Sequence, residues 1–540
     1  MNVTRRSLLT GGLGLAGASV LPRAVRAQAP KRGGVITIRA WDPPHFDPML
    51  TTAYRVHIPI TFTHSRLLKH RAGGTVAPGT FALEGDLAES WSQPSETTYV
   101  FKLRRGVKWQ PKPPVNGREL TADDVVYSVN RFMTVKGNPS AYMLRALDKV
   151  EATDRQTVKF TLKEPFAWFL DVIANPMSLP IVAREVIDKL GDMKKAEAVV
   201  GSGPWMLDSY KPNQGMSFVR NPNYYVANQP YIDRVEIVID EDNASRVASF
   251  LSGKYDIGFE FPGSIPRSDW VQIKDTLRQR RPTLRTVEYV NNVETHISLR
   301  TDQKPFSDVR VRQAMSLALD RQEVIDAIFE GVGVINPAVP AALKDWALPI
   351  AQLGEGARYF KRDLPEAKRL LAAAGYPNGF PASLCYNTYG STQFADIAQL
   401  IAKQLKDVGI DTKLDLKEYG AFIASCYLGK FDSLTFGPQT PFLDPDNFVT
   451  ATHLPGESKN QSHVNDPVLT DMLVRQRRTV DVAKRREILH EAQRYLAKQQ
   501  YYLQMPSAIN IGVWDGALKN YSPNLGYDYG GRLIAAWLDR

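Results

Sequence analysis

Cysteine is almost missing from this chain: only Cys385 and Cys426 occur in 540 residues. That count excludes a disulfide scaffold and leaves two alternatives, a single bridge formed in an oxidising compartment or two buried thiols. Past the first 27 residues no segment reaches the roughly 18 consecutive apolar residues that a membrane span requires. Low-complexity tracts and internal repeats are also absent. The local signatures of common catalytic sites are missing: no G-x-x-x-x-G-K-[ST] phosphate loop, no H-E-x-x-H and no G-x-S-x-G elbow. The eight histidines, among them His70, His296 and His463, are mostly scattered singly, and none stands four residues from another on a helix. The sequence therefore predicts no metal site, no cofactor and no enzyme.

One sign of charge is in modest excess, a formal +10. Lysines and arginines alternate with acids along the whole length, which describes a solvated surface and not a nucleic-acid-binding stripe.

The start of the chain reads as an export leader over residues 1–27. Arg5 and Arg6 form a basic beginning, Leu8 to Leu21 an apolar stretch, and Val25-Arg26-Ala27 a small-residue exit. Thr4-Arg5-Arg6-Ser7-Leu8-Leu9 resembles the twin-arginine export box. Gly12, Gly14 and Gly17 match the dinucleotide pattern G-x-G-x-x-G, but they lie within the leader's apolar stretch with no strand before them, so the match carries nothing. Removing the leader takes away four arginines, lowering the formal charge by four to +6. No cysteine near the exit offers a lipid anchor, so the expected product is soluble and periplasmic. The remaining length suggests about three domains.

Helices and strands alternate, as in an α/β protein. Thr121-Ala122-Asp123-Asp124 is a capping box ahead of Val125, Val129 and Phe132, predicting a helix over about 122–132. A second is predicted over about 308–329, closed by Gly331, and a third from Asp363 to Gly375. From 382 the pattern is strand, helix, strand: 382–387, 394–408 and 410–416, a βαβ unit with parallel strands. A further helix over about 418–428 leads to a strand at 431–436. Loops 388–392 and 437–441 then leave the carboxyl ends of strands, where open parallel sheets bind ligands. If those strands are neighbours, both loops face one cleft. The acidic pairs Asp123/Asp124 and Asp444/Asp446 read as a helix's first turn and a proline turn, not as an acid and a base.

From about residue 31 onward, an ordered set of short segments resembles the family 5 solute-binding proteins of ATP-driven importers. The segments are Lys31-Arg32-Gly33-Gly34, Phe46-Asp47-Pro48, Leu87-Ala88-Glu89-Ser90-Trp91, Tyr99 to Trp109, Gly201-Ser202-Gly203-Pro204-Trp205, Arg220 to Tyr225, Val311-Arg312-Gln313-Ala314, Ala318-Leu319-Asp320-Arg321 and Ala373 to Pro377. The resemblance implies a type II periplasmic binding protein fold of two lobes with an extra domain and a two-crossing hinge. Domain I would comprise residues 31–80, 201–288 and 503–540, domain II residues 81–200, and domain III residues 289–502. It implies hinge closure on a peptide or peptide-like solute, and delivery by a monomer to a permease and its ATPase at the inner membrane. Non-peptide solutes such as oligosaccharides, opines or metabolite conjugates, and a sensory or chaperone-like role, are the alternatives.

The resemblance also exposes a departure. Peptide binders of the family place an aspartate, and before it a tryptophan, ahead of a D-P-D-N-F-like segment, the aspartate pairing with the ligand's ammonium group. Here the segment is Asp444 to Phe448, and the two positions hold Pro441 and Pro438. An ammonium buried without a counter-charge loses hydration without return, so the usual anchor is missing, with Asp42 or Asp444 as substitutes. The remaining candidates are polar, aromatic and mostly neutral: Trp41, Asp42, Tyr54, Trp205, Asn291, Asn387, Tyr389, Ser391, Phe436, Gln439, Thr440 and Asp444.

Overall fold

The structure is a computed structural model that describes residues 29–259, 267–290, 292–389, 392–439, 443–523 and 528–540. The leader read at 1–27 and the candidates Asn291, Ser391 and Thr440 lie outside the described residues, as does Pro441.

Its main feature is one sheet, twelve strands among the described residues. At one end, Ile410–Leu416, Phe380–Tyr386 and Leu434–Pro438 lie parallel, and Thr295–Leu299 runs against the last of them. At the other end, Val35–Ala40 lies between parallel partners Arg234–Ile239 and Ile257–Phe259, followed by antiparallel Gly215–Arg220 and Trp205–Lys211. The long strand Tyr502–Trp514 joins the two halves. Its beginning pairs with Thr295–Leu299, through Met505 to Thr295, and its end pairs with Arg285–Val290 and with Ile257–Phe259. A separate antiparallel sheet of four strands, Ala88–Ser95, Thr98–Leu103, Thr157–Leu162 and Leu147–Asp154, packs on the helix Ala122–Thr134.

That helix begins at the predicted capping box: the Thr121 backbone N–H donates to the Asp124 carboxylate at 2.9 Å, and Val125, Val129 and Phe132 are buried. The single helix predicted over 308–329 is instead two, Val309–Ala318 and Arg321–Ile328. The break comes from Asp320, whose side chain accepts from the Glu323 N–H at 3.0 Å and so starts a new helix after extended Leu319. Leu364–Ala373 is capped by Asp363 as read, and Gly375 takes the left-handed conformation, φ +93°, that ends it.

The βαβ unit is formed by Phe380–Tyr386, helix Thr392–Lys406 and Ile410–Leu416. The predicted 418–428 helix divides into Tyr419–Ala424 and a 3-10 turn, Cys426–Leu428, and the following strand begins three residues later than read, at Leu434. Cys385 and Cys426 are joined by a disulfide, which settles the alternative the sequence left open.

The apolar core of the four-stranded sheet does not stop at residue 200. Tyr99, Phe101, Phe132, Phe160 and Phe169 belong to one buried cluster with Leu343, Phe448, Leu473 and Leu489, so this segment packs onto the helices of the far half. Among the described residues, no helix is long and apolar enough to cross a membrane.

Candidate functional site

Phe380–Tyr386 and Leu434–Pro438 are direct parallel neighbours, with Tyr386 beside Phe436. Their following loops therefore leave the same edge of the sheet. On the other half, Val35–Ala40 and Arg234–Ile239 are also parallel and end with Ala40 beside Ile239. A cavity of about 300 Å³ is lined by residues at or just beyond the carboxyl ends of all four strands: Trp41, Glu241, Asn387 to Tyr389, Pro438 and Gln439. Thr52, Tyr54, Arg55, Val293, Phe394, Tyr419, Ile423 and Tyr427 complete its wall. Tyr54 and Tyr419 each open a helix, so the ends of two helices meet there.

Each wall residue is held by its own neighbours. The Trp41 ring lies under the Arg39 guanidinium, 4.2 Å from it, and the Arg39 Nε donates to the Asp240 carbonyl at 2.8 Å. Burial and the nearby Arg246 bring Arg39 down to about 10. Asn387 shapes the loop that carries Tyr389: its amide donates to the Lys417 carbonyl at 2.7 Å, and its Oδ1 accepts from the Tyr389 N–H at 2.6 Å. Tyr389 takes a left-handed φ of 51°, which this local bond makes tolerable. Its ring packs among Phe394, Tyr419 and Phe422. Its hydroxyl is buried with no hydrogen-bond partner among the described residues, and burial pushes it well above the usual phenol range.

Gln439 ends a polar chain. Its N–H donates to the Glu294 carbonyl at 2.7 Å, and its side-chain amide lies 3.2 Å from Nε2 of His296. Nδ1 of His296 faces the Glu294 carboxylate at 2.8 Å. Pairing Nδ1–H with the carboxylate leaves Nε2 to accept from Gln439, which fixes the direction of that amide. The disulfide ties the end of Phe380–Tyr386 to the segment bearing Tyr419 and Tyr427, so opposite parts of the aromatic wall are covalently linked.

Of the candidates read from the sequence, the cavity brings together Trp41, Tyr54, Asn387, Tyr389 and Gln439. Four others stand elsewhere. Asp42 accepts from the Tyr210 hydroxyl at 2.9 Å and the Asn213 N–H at 3.0 Å. Trp205 is wholly buried, its indole donating to the Ile232 carbonyl and its ring set against Phe62. Phe436 is wholly buried in the core of its half of the sheet, its ring against Phe394, because strand alternation puts it on the face that packs into that core. Asp444 is held by Arg485 through contacts of 2.5 and 2.8 Å, so it offers no free charge to a ligand there. Neither proposed substitute for the missing aspartate lines this cavity.

The sequence reading missed Arg55, Glu241 and Tyr419. Glu241 stands just after the carboxyl end of Arg234–Ile239, and the same strand-end rule that selected Gln439 would have found it had that strand been recognised. Arg55, in a helix's first turn, gives no such signal.

A second cavity of about 960 Å³ is lined by Val287 to Val290, Trp346, Leu443 and the charged residues Asp171, Asp444 and Arg485, among others. Burial and the adjacent Asp444 push the Asp171 carboxyl up to about 7. No group of three or more His, Cys, Asp or Glu side chains able to hold a metal occurs among the described residues.

The family model for bacterial extracellular solute-binding proteins, family 5 middle, matches residues 82–460. The chain belongs to this family. As a family 5 solute-binding protein it is similar to Di/tripeptide-binding protein 2 of Pseudomonas aeruginosa, 28% identical over 530 residues that cover 92% of this chain and 93% of that protein. It is also similar to Heme-binding protein A of Haemophilus influenzae, 27% identical over 494 residues, 86% and 85% of the two chains. Among solved structures it resembles the periplasmic binding protein DppA of Helicobacter pylori in complex with the peptide STSA, with a TM-score of 0.80 at 23% identity, covering 94% of this chain and 99% of that one. The family 5 chain thus has the α/β fold of the type II periplasmic binding proteins.

Proposed function

We propose that this chain captures a peptide or peptide-like small solute in the periplasm and hands it to the permease of an ATP-driven importer. The observation that carries the reading is the aromatic cavity of about 300 Å³ at the carboxyl ends of parallel strands from both halves of the sheet. A solute held there touches both halves at once, the condition for a ligand to favour a closed shape. The relative named for di- and tripeptides and the solved relative holding the peptide STSA support a peptide as the ligand class.

In this reading the solute stacks on Trp41, Tyr54 and Tyr389 and takes hydrogen bonds from Asn387 and Gln439. The hinge lies where the chain crosses between halves, at residues 292–294 and near 506–508, where Tyr502–Trp514 exchanges partners. Export through the leader at 1–27 places the protein, as a soluble monomer, outside the cytoplasm.

A thermal-shift screen of di- to pentapeptides, oligosaccharides and opines tests the reading. A ligand that binds only the folded state raises Tm, so a peptide should raise it, and X-ray scattering of that complex should report compaction. A screen in which a non-peptide alone raises Tm overturns peptide capture.

A further inference from the structure

We infer that Arg55 and Glu241 form a charge clamp selecting zwitterionic ligands, the guanidinium taking the carboxylate and Glu241 the ammonium. This rests on the peptide reading above and names the groups by which the same cavity would recognise a peptide's two ends. Among its described lining residues, these are the only charged side chains. The rest of the described wall is aromatic, aliphatic or neutral, so among these residues the ionic selectivity comes from this pair.

In the structure the two hold each other. Nη1 of Arg55 donates to Oε1 of Glu241 at 2.8 Å, and Nη2 approaches Oε2 at 3.4 Å. The pair is not sealed: the side chains are 29% and 50% exposed. A pair this open to water contributes little to stability, so exchanging it for a ligand's own two charges costs little. Both residues would then regain an opposite charge in a more enclosed setting, where the interaction is stronger.

Geometry favours this exchange over a purely structural role. Arg55 also lies over the ring of Tyr419, 5.5 Å from its centroid, which steers the fork while leaving its N–H groups free to turn to a carboxylate. Arg55 and Glu241 come from one half of the sheet and Tyr419 from the other. A ligand seated between them is therefore enclosed from both sides. Glu241 stands beyond a strand end and Arg55 in a helix's first turn, two separate elements that can part slightly to admit it.

The test uses purified full-length mature protein and three forms of the dipeptide that binds best in a library of natural dipeptides: free, N-acetylated and C-amidated. The free form should bind about tenfold or more tightly than either blocked form, as expected for losing one hydrogen-bonded charge. Arg55→Gln should remove the discrimination against the amide and keep that against the acetyl form; Glu241→Gln should do the reverse. Because both side chains are partly exposed, both variants should keep the wild-type Tm without ligand. Discrimination that persists in both variants, or equal binding of free and blocked forms, overturns the clamp while peptide capture stands. Failure of every peptide, free or blocked, to bind overturns both.

Discussion

Cys385, at the end of one strand of the βαβ unit, is bonded to Cys426, 41 residues further on, just past the helix that supplies Tyr419 to the cavity wall. The link closes a loop that contains the unit's helix and its second strand. Under the chain-entropy model, a loop of this length stabilises the fold by about 4 kcal/mol. Replacing both cysteines by serine should lower unfolding stability by up to that amount in urea titrations. It should also weaken ligand binding, because Tyr419 and Tyr427 would no longer be tied to the strand that leads into Asn387 and Tyr389. Unchanged stability and affinity would show that packing alone holds the wall.

The Tyr389 hydroxyl has a role only if something else fills its hydrogen bond. A buried polar group left unpaired costs roughly 1–3 kcal/mol, so Tyr389→Phe should leave the ligand-free protein as stable as wild type or slightly more so. With ligand present the change should reverse sign, and Kd by calorimetry should rise about three- to tenfold. Equal Kd values for wild type and variant would mean that the ligand ignores this hydroxyl.

Much of the site's framework could be read from the sequence because it depends on local rules. The capping box at Thr121, the cap at Asp363 and the alternation of strand, helix and strand after residue 380 are each decided within a few residues. Tyr389 and Gln439 followed from placing loops at strand ends. What was missed depends on contacts distant in sequence. Asp444 resembled a free carboxylate until Arg485, 41 residues away, was found against it. Trp205 read as a site aromatic because nothing nearby reveals that Phe62 and the Ile232 carbonyl enclose it. The Arg55–Glu241 pair, 186 residues apart, depends entirely on tertiary structure.

The Asp444–Arg485 pair is buried, its side chains 6% and 4% exposed. Removing one partner leaves an uncompensated charge, a loss of about 3–5 kcal/mol, whereas replacing both by apolar residues of similar volume is often nearly neutral. Arg485→Met should therefore be strongly destabilising in denaturant titrations. The double variant Arg485→Met with Asp444→Leu should recover most of the loss. Equal losses in the single and double variants would contradict this account.

Asp171 adds a pH dependence of known sign. Burial, with Asp444 beside it, raises its carboxyl to about 7, well above an unfolded carboxyl's value near 4. The folded state therefore holds the proton more tightly. Its contribution to stability is full below about pH 4, is lost as pH rises towards 7, and stays lost above that. Asp171→Asn, which keeps a neutral side chain at every pH, should raise Tm relative to wild type at pH 8 and show no such gain at pH 4. A gain of equal size at both values would assign the effect to packing instead.

The strand Tyr502–Trp514 has a consequence for how the polypeptide acquires its shape. Val35–Ala40 and Ile257–Phe259 are synthesised long before residue 502, yet Ile257–Phe259 has as one of its two neighbours a strand from the last tenth of the chain. Until residues 502–514 emerge, both halves present an open edge, the kind of surface on which chains aggregate. Such distant pairing makes folding slow. Neither half can finish during translation, so a chain truncated before Tyr502 should need a chaperone to remain in solution.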